Sequence, residues 1–103
     1  MHQLLTQNIE NLQALCRKYK VCRMYVFGSV NTSAFTPQSD IDFLIAFEEG
    51  ISIAEYTDNY FALQYALREM FGRKIDLVTE NSLSNPFFIQ EVEQTKELIY
   101  AAA

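Results

Sequence analysis

The stretch Phe27-Gly28-Ser29-Val30, followed after a loop by Ser39-Asp40-Ile41-Asp42-Phe43-Leu44, decides the fold of this chain. Side chains alternate between the two faces of a β-strand, so Asp40 and Asp42 are predicted to share one face. Two neighbouring carboxylates repel each other. A Mg²⁺ ion, which takes one or two carboxylates together with waters and phosphate oxygens, would offset that repulsion. The Gly28-Ser29 turn offers backbone N–H groups and a hydroxyl, which suit a phosphate.

Two interpretations without catalysis are open for the Asp-x-Asp pair. Acids at a strand edge are typical of protection against edge-to-edge pairing, and Asp40 could cap a turn after Pro37-Gln38-Ser39. A third acid, Asp76, interrupts the apolar run Lys74-Ile75-Asp76-Leu77-Val78, where a lone carboxylate needs a partner. The whole combination of strand, Gly-Ser turn, loop, Ser-Asp-x-Asp and second strand favours the catalytic interpretation.

Length and composition predict one small domain over residues 1–103. Hydrophobic residues make up 50% of the chain, which indicates a packed core and argues against disorder. The net charge of −5 argues against direct binding of nucleic acid, which needs clustered Lys and Arg. The same charge suits a basic protein partner, and a homo- or hetero-oligomer is compatible with the sequence.

The cysteine count and the N-terminus indicate a cytoplasmic protein. Cys16 and Cys22 are expected to be reduced and buried. A zinc site is not expected, because His2 is the one histidine and no Cys-x-x-Cys is present. The first residues do not resemble a signal peptide, and no apolar stretch reaches the length of a membrane span.

The spacing of apolar residues predicts three helices and three strands. The first helix buries Leu5, Ile9, Leu12, Cys16 and Tyr19. The second begins at the capping box Ser52-x-x-Glu55 and ends at Gly72, and the third begins at Asn85-Pro86. The strands are predicted at residues 21–27, 41–47 and 75–78. The apolar segment Leu98-Ile99-Tyr100 is expected to dock on the core.

This order of elements predicts an α/β (α+β) fold, in which a small mixed sheet of three to four strands packs against helices. The first two strands are joined by about a dozen residues and can pair antiparallel without a crossover helix. The third strand follows a helix and can run parallel to the second. That arrangement would place Asp76 beside Asp40 and Asp42 on one face of the sheet.

The Gly28-Ser29 turn, the spacing of eleven residues from Ser29 to Asp40, and the acids Asp40, Asp42 and Asp76 resemble the DNA polymerase beta-like nucleotidyltransferase superfamily. Within it, the short chain resembles the minimal nucleotidyltransferases, the MntA-like antitoxins paired with HEPN-domain toxins. The resemblance covers nearly the whole chain. One departure is that many members carry Ala-Arg-Gly where this chain has Asn31-Thr32-Ser33, so an arginine that could contact phosphate is missing.

The resemblance implies a nucleotidyltransferase fold and a Mg²⁺-dependent transfer of AMP from ATP to a hydroxyl of a HEPN-type toxin. The acceptor would be a tyrosine, and the chain would be the antitoxin of a type VII-like toxin–antitoxin pair. Asp40, Asp42 and Asp76 would act as catalytic residues and as ligands of two Mg²⁺ ions. Gly28, Ser29 and Ser39 would bind the nucleotide.

Two other functions compete with this one. The first is a catalytically degenerate antitoxin that neutralises its toxin by contact alone, which the Asn31-Thr32-Ser33 departure favours. The second is a transferase for a small molecule such as an aminoglycoside. Enzymes of that kind resemble this core but usually carry an additional helical domain, which is not expected in a chain of this length.

Overall fold

The strands form where β-branched and aromatic residues are concentrated. The structure, a computed structural model, describes residues 1–102. Its strands are β1 (Val21–Phe27), β2 (Ile41–Phe47), β3 (Ile75–Thr79) and β4 (Glu97–Ala101). They lie in the order β3-β2-β1-β4. β1 pairs antiparallel with both β2 and β4, whereas β2 pairs parallel with β3.

The predicted mixed sheet with an α+β architecture is therefore confirmed, as is the direction of each predicted strand pair. The fourth strand, which the predicted range of three to four strands allows, comes from the apolar segment near the C-terminus, for which the sequence predicts docking on the core. That segment pairs with β1, so that β1 lies inside the sheet and β3 and β4 form its two edges.

The helices are α1 (Gln3–Thr6), α2 (Ile9–Lys18), α3 (Ile53–Phe71) and α4 (Pro86–Thr95). The single helix predicted at the N-terminus is divided in two. The break lies at Asn8, which has a non-helical backbone (φ −111°, ψ 11°). The Asn8 side chain donates to the carbonyl oxygen of Leu4 at 2.8 Å, which compensates the interrupted helix.

The predicted ends of the other helices are confirmed. The Ser52 hydroxyl accepts a hydrogen bond from the Glu55 N–H at 3.1 Å and caps α3. Gly72 ends α3 in the left-handed conformation with φ +63°. Asn85 Oδ1 caps α4 by accepting from the N–H groups of Phe87 and Phe88 at 2.9 and 3.3 Å.

Helices cover both faces of the sheet, because the side chains of β2 alternate between two apolar clusters. Ile41, Phe43 and Ile45 are buried with residues of α2 and α3, namely Leu12, Cys16, Leu63 and Leu67. Leu44 points to the opposite face, where Phe27 and Val92 of α4 cover it. This double coverage explains why β2 reads as a continuous apolar run.

The two cysteines are free thiols, as the sequence predicts. Cys16 is buried in the core, and burial raises its pKa to about 12, so the thiol stays protonated at neutral pH. Cys22 is half-buried. Within residues 1–102, none of the helices combines the length and the apolar character needed to cross a membrane.

Two side chains of α3 protect the edge strand β3. The Tyr60 hydroxyl donates to the Leu77 carbonyl oxygen at 2.5 Å. One helical turn later, Gln64 Nε2 donates to the Ile75 carbonyl oxygen at 3.5 Å. These bonds satisfy carbonyl groups that an edge strand would otherwise offer to another chain. They also bring two polar side chains round the edge, towards the sheet face that α4 covers.

The cap of α4 can be tested by Asn85→Ala. The substitution removes the acceptor for two backbone N–H groups, so we expect the free energy of unfolding to fall by about 1 kcal/mol. Urea denaturation measures the change. Gln90→Ala, on the exposed surface of the same helix, is the matched control and should stay within about 0.5 kcal/mol of the unsubstituted protein. Equal losses for the two variants would contradict a capping role for Asn85.

Candidate active site

The parallel pairing of β2 and β3 sets two carboxylates side by side. Asp42 on β2 is the register partner of Asp76 on β3, and their side chains share a hydrogen bond. Asp42 also lies opposite Phe27, the last residue of β1, across the antiparallel pair. The Gly28-Ser29 turn that follows β1 is thereby placed next to the two acids.

These groups line one cavity of about 500 Å³ on the face of the sheet that α4 covers. Its polar wall is formed by Ser29, Asp42, Tyr60, Gln64, Asp76 and Glu91. Apolar side chains, among them Phe88 of α4, form the rest of the wall. The cavity thus combines a turn suited to phosphate, a carboxylate pair and aromatic side chains.

The electrostatics of the cavity centre on Asp42. Burial raises the pKa of its carboxyl group from 3.8 to about 7. The hydrogen bond with Asp76, and the negative charges of Asp76, Asp40 and Glu91, act on this pKa in the same direction. In the absence of a cation, the Asp42 carboxyl group is therefore partly protonated near neutral pH.

Gly28 fits the space beside Asp42 because it has no side chain. Its backbone has φ +77°, and a Cβ atom at this position would lie 2.5 Å from Asp42 Oδ2. Only glycine combines that conformation with so close an approach. The strand can therefore turn away directly in front of the carboxylate pair.

The C-terminal end of α4 clamps the Gly28-Ser29 turn. Thr95 Oγ1 accepts from the Gly28 N–H at 2.9 Å, and Asn31 Nδ2 donates to the Thr95 carbonyl oxygen at 2.8 Å. Asn31 Nδ2 also donates to the carbonyl oxygen of Val26 at 3.2 Å. The Gly28 N–H, which the sequence pattern offers to a phosphate, is thus engaged within the chain. Ser29 remains in the cavity wall with a hydroxyl suited to that role.

Asp40 and Ser39, two further predicted site residues, do not line this cavity. Asp40 Oδ2 lies 3.6 Å from Lys74 Nζ, and the Ser39 hydroxyl bonds to the N–H and hydroxyl of Thr36 at 3.0 and 3.1 Å. Within residues 1–102, no cluster of three or more His, Cys, Asp or Glu side chains is arranged to hold a metal ion. The structure therefore brings together Asp42 and Asp76, with Asp40 outside the cavity wall.

Asp42 and Asp76 nevertheless fit a divalent cation. Both offer oxygen ligands, and the repulsion that helps to raise the pKa of Asp42 is what a bound cation would relieve. Mg²⁺ is commonly held by one or two carboxylates, with waters and substrate phosphates completing the octahedron. The pair thus offers the carboxylate oxygens that such a site takes from the protein.

The structure also adds residues that the sequence did not reveal. The sequence predicts that Glu91 is a solvent-facing residue of α4 and that Tyr60 belongs to the buried face of α3. Both side chains line the cavity. Thr95 carries no signal in the sequence, because its partners lie more than 60 residues away. Gln64 follows Tyr60 by one helical turn and shares its helix face, but this spacing indicates a site residue only once Tyr60 is known to line the cavity.

Comparisons with known proteins agree with this geometry. The nucleotidyltransferase domain family matches residues 9–99. A candidate protein adenylyltransferase of Methanocaldococcus jannaschii is 37% identical over 86 residues, which are 84% of this chain and 82% of that protein.

Solved structures share the fold. A candidate minimal nucleotidyltransferase superimposes with a TM-score of 0.67 at 30% identity, over 94% of this chain and 95% of that one. A chain from the complex of a tri-AMPylated Shewanella oneidensis HEPN toxin with an MNT antitoxin gives a TM-score of 0.60 at 21% identity. It is matched over 94% of this chain and 72% of its own length, and at that identity the likeness shows the fold alone.

Gly28→Ala tests the close approach to Asp42. Gly50 is the matched control, because it also has a positive φ of +84°, but a Cβ added there would meet no atom of the described residues within 4 Å. Each of the two variants should lose about 1–2 kcal/mol of stability, because alanine is strained in the left-handed backbone conformation. Gly28→Ala should lose at least about 1 kcal/mol more, because its methyl group meets Asp42. Thermal unfolding measures both, and equal losses would contradict the steric role of Gly28.

The raised pKa of Asp42 predicts a pH-dependent stability of the metal-free protein. Because the pKa of Asp42 is higher in the folded state than in the unfolded state, protonation of Asp42 stabilises the fold. This contribution to the free energy of unfolding is complete below about pH 3.8, the ordinary pKa, and is lost as pH rises through about 7. Asp42→Asn removes this titration. In EDTA, its stability relative to the unsubstituted protein should rise by about 1–3 kcal/mol between pH 5 and pH 8.

Urea denaturation at both pH values measures this difference. Asp58→Asn, an exposed acid on α3, is the control and should follow the unsubstituted protein at both pH values. A stability difference for Asp42→Asn that does not change with pH would show that Asp42 titrates normally.

Proposed function

This chain belongs to the nucleotidyltransferase domain family, and on that basis we propose that it transfers AMP from ATP to a hydroxyl group of a partner protein. The observation that carries the proposal is the Asp42–Asp76 carboxylate pair next to the Gly28-Ser29 turn, in one cavity. The Methanocaldococcus jannaschii relatives, which are candidate protein adenylyltransferases, support this choice of substrate class.

Transfer of AMP requires that the reacting groups are positioned and that the negative charge of the phosphates is stabilised. The acceptor oxygen forms a bond to the α-phosphorus of ATP, the bond to the bridging α–β oxygen breaks, and pyrophosphate leaves with the electron pair. The acceptor hydroxyl gives its proton to Asp76, which lies on the edge strand and lines the cavity. Ser29 holds the β- and γ-phosphates from the opposite side of the cavity.

Mg²⁺ would be held by Asp42 and Asp76, and when bound it would neutralise charge on the nucleotide phosphates. Asp40 is the third acid that the family resemblance assigns to metal binding. Its exposed contact with Lys74 at 3.6 Å is of a kind that contributes about 0–1 kcal/mol. Asp40 can therefore exchange Lys74 for a metal-bound water or for a second ion at little cost. Ser39 stays a predicted nucleotide contact of the same loop.

The partner that we propose is a HEPN-domain toxin, with a tyrosine as the acceptor, and the chain is its antitoxin. The fold shared with an MNT antitoxin bound to an AMPylated HEPN toxin supports this partner. Near the cavity, Phe61 of α3 and Phe87 of α4 are 61% and 82% exposed. Exposed aromatic side chains of this kind are common in the contact area of protein partners.

Mass spectrometry tests the transfer. The chain is incubated with ATP, Mg²⁺ and a HEPN-domain protein encoded beside it, and we expect the HEPN protein to gain whole AMP units. Asp42→Asn should lower the rate at least about a hundredfold, because it removes a charged ligand from the reacting centre. Asp58→Asn, which changes an exposed acid of α3 in the same way, should leave the rate unchanged.

The outcomes separate the competing functions. A stable complex that gains no AMP, and that still neutralises the toxin, would show an antitoxin acting by contact. AMP added to an aminoglycoside, with none on the HEPN protein, would show a small-molecule transferase. Full activity of Asp42→Asn would overturn the assignment of the carboxylate pair.

A further inference from the structure

The wall of the cavity contains a nucleophile that the proposed reaction does not use. Among the wall residues that the structure describes, hydroxyl groups belong to Ser29 and Tyr60. Ser29 is the proposed contact of the β- and γ-phosphates. Tyr60 is a tyrosine, the same kind of side chain as the acceptor that we propose on the partner protein. The chain therefore presents a hydroxyl of the acceptor class from its own cavity wall.

Tyr60 reaches the cavity from α3 by passing round the outer edge of β3. Its hydroxyl donates a hydrogen bond to the carbonyl oxygen of Leu77, the residue that follows Asp76. The Tyr60 side chain is half-buried, and within the described residues 1–102 this bond is the hydrogen bond that its hydroxyl makes. A single bond between neutral groups contributes modestly to stability, so the hydroxyl can turn from Leu77 towards the cavity.

The Tyr60 hydroxyl lies close enough to Asp76 for the two groups to interact. Burial raises the pKa of Tyr60 above its usual range, and the Tyr56 hydroxyl and the Asp76 carboxylate act in the same direction. The phenol is therefore protonated at neutral pH and needs a base before it can attack phosphorus. Asp76, the base that we propose for the hydroxyl of the partner protein, can serve Tyr60 in the same way.

The order of the groups across the sheet suits an in-line displacement. Ser29 follows β1, and the carboxylate pair lies on β2 and β3, the next two strands. Tyr60 lies beyond that pair, at the outer edge of β3. Neighbouring strands are about 4.8 Å apart, so a triphosphate with its β- and γ-phosphates at Ser29 has its α-phosphoryl group near the pair. Pyrophosphate then leaves towards Ser29, and the side of phosphorus that the attacking oxygen must occupy faces Tyr60.

We propose that Tyr60 is a site of self-modification, at which the chain transfers AMP to its own hydroxyl when no partner supplies one. The inference rests on the proposed transfer of AMP. Tyr60 Oη forms a bond to the α-phosphorus of ATP, the bond from that phosphorus to the bridging α–β oxygen breaks, and pyrophosphate leaves with the electron pair. The phenolic proton passes to the Asp76 carboxylate. The products are pyrophosphate and a chain in which a phosphodiester joins Tyr60 to AMP.

Mass spectrometry of the chain alone, incubated with ATP and Mg²⁺, tests the inference. We expect the chain to gain AMP, and fragmentation of its peptides should locate the AMP on Tyr60. Tyr60→Phe should abolish this gain, because it keeps the aromatic ring and removes the nucleophile. A HEPN-domain protein added to the unsubstituted chain should lower the gain, because its acceptor competes with Tyr60 for the same side of the α-phosphorus.

Tyr56→Phe is the matched control. Tyr56 lies one helical turn before Tyr60 on α3, but it does not line the cavity that contains Asp42 and Asp76. The substitution therefore removes the same group from the same helix outside the site, and it should leave the gain of AMP unchanged.

The dependence on chain concentration separates transfer within a chain from transfer between chains. The rate constant for the gain of AMP should not change with chain concentration, because the acceptor and the reacting centre belong to one molecule. A rate constant that rises with chain concentration would show that one chain modifies another, and would overturn the inference.

The remaining outcomes distinguish this inference from the proposed function. If the HEPN-domain protein gains AMP and the chain alone gains none, or gains it at a residue other than Tyr60, the inference is overturned and the proposed function stands. If Tyr60 gains AMP and the HEPN-domain protein does not, self-modification holds and the proposed partner is wrong. If neither protein gains AMP, although the chain binds ATP, the proposed function fails and the inference fails with it.

Discussion

The in-register parallel pairing of β2 and β3 is the constraint on which the site depends. It places Asp42 directly beside Asp76, and both carboxylates share the sheet face that α4 covers. A shift of one residue in this register would move either acid to the opposite face, which α2 and α3 fill with apolar side chains. The buried neighbours Ile41, Phe43 and Ile75 therefore hold the register, and with it the carboxylate pair.

The same constraint explains the surroundings of the pair. Strand β1 ends next to Asp42 and must turn away without a side chain in the path, which Gly28 allows. The turn is then held by hydrogen bonds from Gly28 and Asn31 to Thr95 at the C-terminal end of α4. A segment near the C-terminus thus fixes the position of a motif near residue 28. The Asn31 side chain gives this chain a hydrogen-bonded clamp at that point.

Edge protection and construction of the cavity use the same side chains. Tyr60 and Gln64 satisfy two carbonyl groups of β3 and also line the cavity. An edge strand is the natural side of approach for a second protein, because beyond it lies solvent and not another strand. Asp76 is half-buried on that strand, and Tyr60 and Gln64 prevent its edge from pairing with another chain.

Local signals predict most of the fold, and long-range contacts account for what they miss. The caps at Ser52, Gly72 and Asn85 depend on neighbouring residues and are confirmed. The meeting of Asp42 and Asp76 follows from strand order, since a helix between two strands allows them to run parallel. The location of the fourth strand could not be predicted, because Leu98-Ile99-Tyr100 is short and its partner β1 is distant in sequence. The role of Glu91 could not be predicted, because a solvent-facing residue of α4 can also line a cavity that is open to solvent.

Asp40 shows that the alternation of side chains predicts positions only within a strand. Asp40 lies one residue before β2, which begins at Ile41. It does not line the cavity, although its charge acts on Asp42. The Ile41 N–H donates to the Lys74 carbonyl oxygen at 3.2 Å, so the chain enters the sheet alongside Lys74. That entry sets the Lys74 ammonium beside Asp40 and leaves Asp42 to face Asp76 without a cation. The outer acid therefore has a lysine beside it, whereas the inner pair has none, and repulsion within that pair helps to raise the pKa of Asp42 to about 7. The divalent ion that we propose at this pair would relieve that repulsion.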